Sequence, residues 1–434
     1  MPLLLQLTLI IVVAFLSHGH ESIAQYVPSY TSAVVPVNKH NDAVIPLYSA
    51  AITATYINTQ TLKANFLIDI DAPFNWHDCI LQWNIYPDGC PANTPCTYPV
   101  SCEEYVCTDV RTTHTYENPT CPPVTNDSTL PGWGYCTCPV TVVDPVMGSC
   151  GQALLDYDEF IMKTSNGRNV FTSTYSVYPN AACAPSWSFE SFPTNVSGVM
   201  ALSTSPHALP AYLFQPIKRS IALCLPSTVS APGVLFFGTG PYYLLPQSDL
   251  DVTSLLSYTP LIKHPDSFGY FIGVNAIVIK KRSIDVLGNA STKLSTIDPY
   301  TTLRTDIYKW VIRRFSMVTK RIPPSKSIAP FGLCFSTFSN VSLKVPDIDF
   351  SLQDGKKWSI STANSIKQVT NDVSCLAFVD GGATTELPIV IGTFQFEDNF
   401  LVFDLENSSF GFSSSLLRKH TSCANFNFTL ISSH

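Results

Sequence analysis

Short apolar runs of strand length, separated by turn residues, dominate the second half of the chain. Examples are Val234-Leu-Phe-Phe237, Tyr270-Phe-Ile-Gly-Val-Asn-Ala-Ile-Val-Ile279 and Pro388-Ile-Val-Ile391. This rhythm predicts an all-β protein. One stretch has helical spacing: Ile307, Trp310, Val311 and Phe315 share a face, which predicts a helix over Asp306 to Val318 capped by Thr305 or Asp306. A shorter helix is expected over Leu209 to Ile217. Two segments share one form, an apolar strand running into a polar turn. They are Phe66-Leu-Ile-Asp-Ile-Asp-Ala-Pro-Phe-Asn-Trp76 and Leu294-Ser-Thr-Ile-Asp-Pro-Tyr-Thr-Thr-Leu303, about 225 residues apart. That spacing fits two lobes, each lending a turn to a central cleft. We place the lobes at 25–235 and 236–434.

The start of the chain reads differently. Leu3 to Leu16 is mostly apolar, and Ser22-Ile23-Ala24 follows a polar patch. This is the pattern of a signal peptide over 1–24, cleaved after Ala24. No other run approaches the length of a membrane span, so no anchor is expected. All 14 Cys lie beyond that site. An even count in an exported chain reads as seven disulfides, and no paired zinc-ligand rhythm repeats, so no metal or cofactor is expected. Ten Cys crowd between 79 and 183 among Pro, Gly and Asn, which predicts stapled loops on a β scaffold. Six glycosylation sequons begin at Asn126, Asn195, Asn289, Asn340, Asn407 and Asn427.

Composition narrows the class further. Hydrophobic residues are 45% of 434, enough for a large core, and the formal charge is −7. An acidic balance argues against a general nucleic-acid binder. Charged residues are only 13%, and 33 Pro favour turns and edges over long helices.

Several stretches, in order, carry a family likeness. They are Leu67-Ile-Asp-Ile-Asp-Ala-Pro-Phe-Asn-Trp-His-Asp-Cys79, Gly198-Val-Met-Ala-Leu202, Ala222-Leu-Cys-Leu225, Phe237-Gly-Thr-Gly-Pro-Tyr-Tyr243 and Ser295-Thr-Ile-Asp-Pro-Tyr-Thr301. Nearest of all are Ile391-Gly-Thr-Phe-Gln-Phe-Glu-Asp-Asn399 and Cys423-Ala-Asn-Phe-Asn-Phe-Thr429. Together they resemble the plant secreted branch of the pepsin-like aspartic peptidase fold. That branch includes the TAXI-type xylanase inhibitors, the xyloglucan-specific endoglucanase inhibitors, the extracellular dermal glycoprotein and basic 7S globulin. The resemblance implies a bilobal all-β fold with few short helices. It also implies the pairs Cys224–Cys423 and Cys334–Cys375. The Cys pattern of the N-terminal loops departs from the family, and its pairings stay open.

An aspartic peptidase needs two carboxylates sharing one proton. Asp69 stands at the first acid position, but Asp71 replaces the usual Gly and the turn lacks its hydroxyl residue. Ser295 stands at the second acid position. A serine cannot ionise there, so no proton-sharing dyad is expected unless Asp298 supplies the missing acid. Asp69 and Asp71 then read as structural carboxylates, and His77 as a surface loop residue. No G-x-S-x-G, H-E-x-x-H or P-loop pattern is present.

Without its dyad such a fold is a rigid binding platform. The resemblance implies a monomeric, extracellular inhibitor of cell-wall glycoside hydrolases, whose clefts are floored by two carboxylates. A cationic or imidazole side chain can plug such a cleft. The resemblance places such residues in loops of the C-terminal lobe, just before the last Cys. Here these are Arg418, Lys419 and His420, with Lys344 as a second candidate. The other readings are a storage or stress glycoprotein and a residual aspartic peptidase.

Overall fold

The computed structural model describes residues 30–43, 45–55, 61–81, 96–113, 121, 136–244, 249–286, 291–337 and 343–432. The expected signal peptide, Cys90 and the sequons at Asn126, Asn289 and Asn340 lie outside them. Six antiparallel strands form a sheet that joins the two halves. In spatial order they are Ser257–His264, Ser409–Phe412, Phe400–Asp404, Ser220–Cys224, Gly233–Gly238 and Ser32–His40. The two halves meet where Ser220–Cys224 pairs with Phe400–Asp404. Gly233–Gly238 is buried along its whole length, which explains its unbroken apolar run. The division we expected at 235/236 falls inside this strand.

Each half repeats one motif. In the first, Thr61–Asp69 runs parallel to Val196–Ala201, which pairs antiparallel with Asn75–Asp78. In the second, Ser291–Leu294 runs parallel to Ile389–Ile391, which pairs antiparallel with Thr301–Leu303. In both, the chain enters on one side of a central strand, turns, and leaves on the other. The two turns are the segments whose similar form was visible in the sequence. Gly392 lies directly behind the second turn. A Cβ there would sit 2.6 Å from the carbonyl oxygens of Asp298 and Tyr300, so only Gly allows that approach.

The main helix spans Thr305–Val318 and buries Ile307, Val311 and Phe315. Its N-cap is Arg304 rather than Thr305 or Asp306, and no side chain caps it. Thr305 instead donates to Asp380 at 2.6 Å. The second expected helix shrinks to a 3-10 turn over Leu209–Tyr212. A helix that the pattern did not announce, Tyr105–Thr113, sits in the cysteine-rich region. Two disulfides, Cys102–Cys136 and Cys107–Cys138, pin it to the neighbouring chain.

Those pairs, with Cys79–Cys183 and Cys121–Cys150, supply the N-terminal pairings that the sequence left open. Cys224–Cys423 and Cys334–Cys375 form as the resemblance implied. Cys96 is also disulfide-bonded, and no described Cys is free. Asn195, Asn407 and Asn427, the sequon residues within the described chain, are all exposed. No helix among the described residues is long and apolar enough to cross a membrane.

Candidate functional site

Asp69 ends the strand Thr61–Asp69, and Ser295 follows the strand Ser291–Leu294. Each is held by its lobe's central strand: the Leu202 N–H donates to the Asp69 carbonyl at 2.8 Å, and the Ser295 N–H to the Ile391 carbonyl at 3.0 Å. Both side chains line one cavity of about 250 Å³ between the lobes. Its walls include Asp71, Trp76, Lys293 and Asp298.

The turns are tied across the lobe junction by one hydroxyl. Thr296 donates to the Ile68 carbonyl at 2.8 Å and accepts from the Ile70 N–H at 3.2 Å. The reciprocal bond has no donor, because Ile70 occupies the matching place in the first turn.

Asp69 is almost wholly buried and accepts from the Asp71 N–H at 2.8 Å. Burial, with the neighbouring charge of Asp71, raises its pKa to about 6. Ser295 is committed differently: its Oγ accepts from the N–H groups of Ile297 and Asp298 at 3.2 and 3.0 Å. Asp298 lines the same cavity, and its carbonyl accepts from the Thr393 N–H at 2.8 Å, which fixes the path of the second turn.

Asp71 does more than fill a glycine position. It forms an ion pair with Lys293 and accepts from Ser267 Oγ at 2.8 Å, both from the opposite half of the chain. Burial opposes the charge on Lys293, but Asp71 outweighs it and raises the ammonium pKa. Sequence reasoning missed Lys293. Its only signal was a cation two residues before Ser295 matched by an extra acid in the first turn, and 222 residues separate the pair.

His77 corrects a second expectation. It is not on the surface but buried on the strand Asn75–Asp78, behind the first turn. Its Nε2 lies 2.7 Å from Asp158 and 3.8 Å from Asp156. Burial opposes its charge, yet the two carboxylates raise its pKa to about 9. Burial and Asp158 together push the Asp156 carboxyl up as well. Cys79, close by, is oxidised to Cys183, which removes it as a metal ligand.

The basic tail lies on the surface of the C-terminal half. Arg418, Lys419 and His420 are exposed. A 3-10 turn over Leu416–Lys419 ends at His420, whose φ is 57°. The turn stands close to Cys423, and the Cys423 N–H donates to Asp398 at 2.9 Å. Arg418 holds both carboxylate oxygens of Asp347, at 2.7 and 2.8 Å. It therefore ties the tail to the loop that carries the exposed Lys344. The two candidate segments, far apart in sequence, become neighbours.

A pepsin-like pair of turns with one acid and one serine, carried on a two-lobed sheet, defines a class, and comparison with known proteins agrees. The profile described as Xylanase inhibitor N-terminal matches residues 52–239, and that described as Xylanase inhibitor C-terminal matches 269–414. The chain belongs to this family. It is similar to Gamma conglutin 1 of Prunus dulcis, 38% identical over 71% of this chain and 74% of the relative. It is also 32% identical to Probable aspartic proteinase GIP2 of Nicotiana benthamiana, over 89% and 92% of the two chains. Among solved structures it is similar to edgp, with a TM-score of 0.78 and 31% identity, covering 93% of this chain and 100% of the other. Conglutin gamma, a basic 7S globulin from lupine seeds, gives a TM-score of 0.76 and 28% identity, with coverages of 93% and 100%.

Proposed function

We propose that this chain is a secreted, non-catalytic member of the family that inhibits a cell-wall glycoside hydrolase in plant defence. The observation that carries this reading is the first cleft turn's acid opposed by Ser295, within a chain matched by both xylanase-inhibitor profiles. One carboxyl cannot play base and acid together. The Asp71–Lys293 pair also lines the cleft.

In this reading His420 and Lys419 reach into the partner's carboxylate-floored cleft, with Lys344 beside them. Arg418 serves as a strut, since Asp347 already engages its guanidinium. The supporting geometry is an exposed cationic tip on a base tied down by Cys224–Cys423. A desolvated charge contact of this type is worth about 2–5 kcal/mol, or roughly 30-fold and more in affinity.

The test sets purified protein against a fungal xylanase, a xyloglucan-specific endoglucanase and denatured casein from acid to neutral pH. The expected result is inhibition of one glycanase and no casein turnover. The double variant Lys419→Ala, His420→Ala should lose at least ~30-fold in inhibition. The single variants His420→Ala and Lys419→Ala apportion that loss between the two side chains. Casein cleavage abolished by Asp69→Asn would overturn the non-catalytic reading and point to Asp298 as second acid. A second reading, a storage or stress glycoprotein, is favoured by the likeness to the gamma conglutins and gains if no glycanase is inhibited.

A further inference from the structure

The C-terminal half carries a basic face that neither the cleft nor the tail uses. Seven of the 25 Lys and Arg fall at 280–282, 313–314 and 320–321, in a chain of net charge −7. The fold brings these three segments together. Lys280 and Lys281 form the two-residue turn between the strands Ser267–Ile279 and Arg282–Asp285. Arg314, on the helix Thr305–Val318, donates from Nε to the Ile279 carbonyl at 3.3 Å and from Nη2 to the Lys280 carbonyl at 3.2 Å. The hairpin tip is thus clamped to the helix. Arg313 is exposed beside the clamp, and Lys320 and Arg321 follow just past the helix end, about 10 Å along its axis at 1.5 Å per residue.

Two observations set this face apart from scattered surface charge. Among the described residues, none of the seven cations forms an ion pair with a carboxylate, whereas Arg304, Lys356, Lys357 and Arg418 on the same half do. The turn is also an unusual place for lysine. Both Lys280 and Lys281 have positive φ, 49° and 64°, at positions where a hairpin favours Asn and Gly. Two ammonium groups are therefore held at the tip despite the backbone's preference.

We propose that this face binds an acidic polysaccharide, a chain of repeating carboxylates such as a polyuronate. Charge complementarity selects a polyanion. The six disulfides among the described residues need an oxidising compartment to form and persist, where repeating negative charge belongs to acidic glycans rather than nucleic acids. Lysines on flexible stems suit a ligand recognised by charge spacing rather than by one rigid group. Such binding would hold the protein on a charged matrix while leaving the His420 tail free.

The test is affinity electrophoresis and column retention of the full chain on polygalacturonate, across a salt series. The expected result is retention at low salt that weakens steeply as salt rises. Lys280→Glu with Lys281→Glu and Arg313→Glu should weaken retention at least tenfold, with an unchanged thermal transition. Lys63→Glu with Lys218→Glu and Lys263→Glu, the same change in charge at exposed positions elsewhere, should have a much smaller effect. Absence of retention in the wild type, or equal losses in both variants, would overturn the proposal. Equally tight binding to duplex DNA or to anionic lipid vesicles would overturn the assignment to a polysaccharide.

Discussion

Asp69 shows how burial turns a cleft carboxylate into a thermodynamic cost. Its pKa of about 6 lies above the ordinary value of 3.8, chiefly because the carboxylate loses water and secondly because Asp71 is near. The folded state therefore prefers the protonated acid. Its relative stability is fully present below the ordinary value and is lost as pH rises through about 6. Asp69→Asn removes that dependence. Between about pH 4 and 6.5 the wild type should lose up to about 3 kcal/mol relative to the variant, as measured by urea unfolding at a series of pH values. A flat difference across this window would show that Asp69 stays ionised. The residue scale was partly legible in the sequence. Asp69 and Ser295 could be matched to their turns because strand and turn are local patterns. Lys293 and the buried state of His77 could not, since both depend on partners that only the fold brings near.

Elements act by fixing what single residues cannot. The strand Asn75–Asp78 carries His77 against Asp156 and Asp158, which belong to the end of the strand Cys150–Tyr157 and the residue after it. Removing one member of a buried ion pair strands the other charge, at a cost of about 3–5 kcal/mol. Asp158→Asn removes the closer carboxylate and leaves Asp156 at 3.8 Å, so it should destabilise by part of that cost. Because the His77 pKa rises from 6.5 to about 9, the loss should be full below 6.5 and shrink as pH passes about 9. Chemical denaturation at pH 6 and pH 10 checks both points. The main helix gives a control of different origin. Phe315 is fully buried on its apolar face, so Phe315→Ala should cost about 3–5 kcal/mol with no such pH dependence. That face is legible in the helical spacing of its apolar residues alone. The cap was not foreseeable, because Thr305 had a distant competitor in Asp380.

At the scale of the molecule the two halves are joined by the central sheet and by a buried charge network. Lys39 donates to Glu397 at 2.6 Å, and Tyr48 donates to the same oxygen at 2.7 Å. Lys39 also donates to the Ser227 carbonyl at 3.0 Å. Burial raises the Glu397 pKa, while Lys39 and Tyr48 pull it back down. Glu397→Gln leaves the Lys39 ammonium buried with no counter-charge. The expected loss is about 3–5 kcal/mol. Replacing the pair by Lys39→Met with Glu397→Leu should recover much of it, as a double-mutant cycle on thermal unfolding would show. If the single variant unfolds like the wild type, the pair does not hold the halves together.

Strands, turns, the doubled turn segment, the cysteine-dense region and the serine in the second turn could be read from the chain alone. These are encoded in short windows, through side-chain alternation, turn chemistry and residue identity. Tertiary structure alone decided which distant residues became partners. It set Asp71 against Lys293, His77 between two aspartates, Lys39 on Glu397, and the 280–282 turn beside the helix end. It also chose the disulfide pairs in the N-terminal region, because six or more cysteines permit many connectivities and only the folded backbone brings particular ones into bonding range. The physical reason is the same in each case. Local preference acts between neighbours along the chain, whereas electrostatic and covalent partners are chosen by proximity in space.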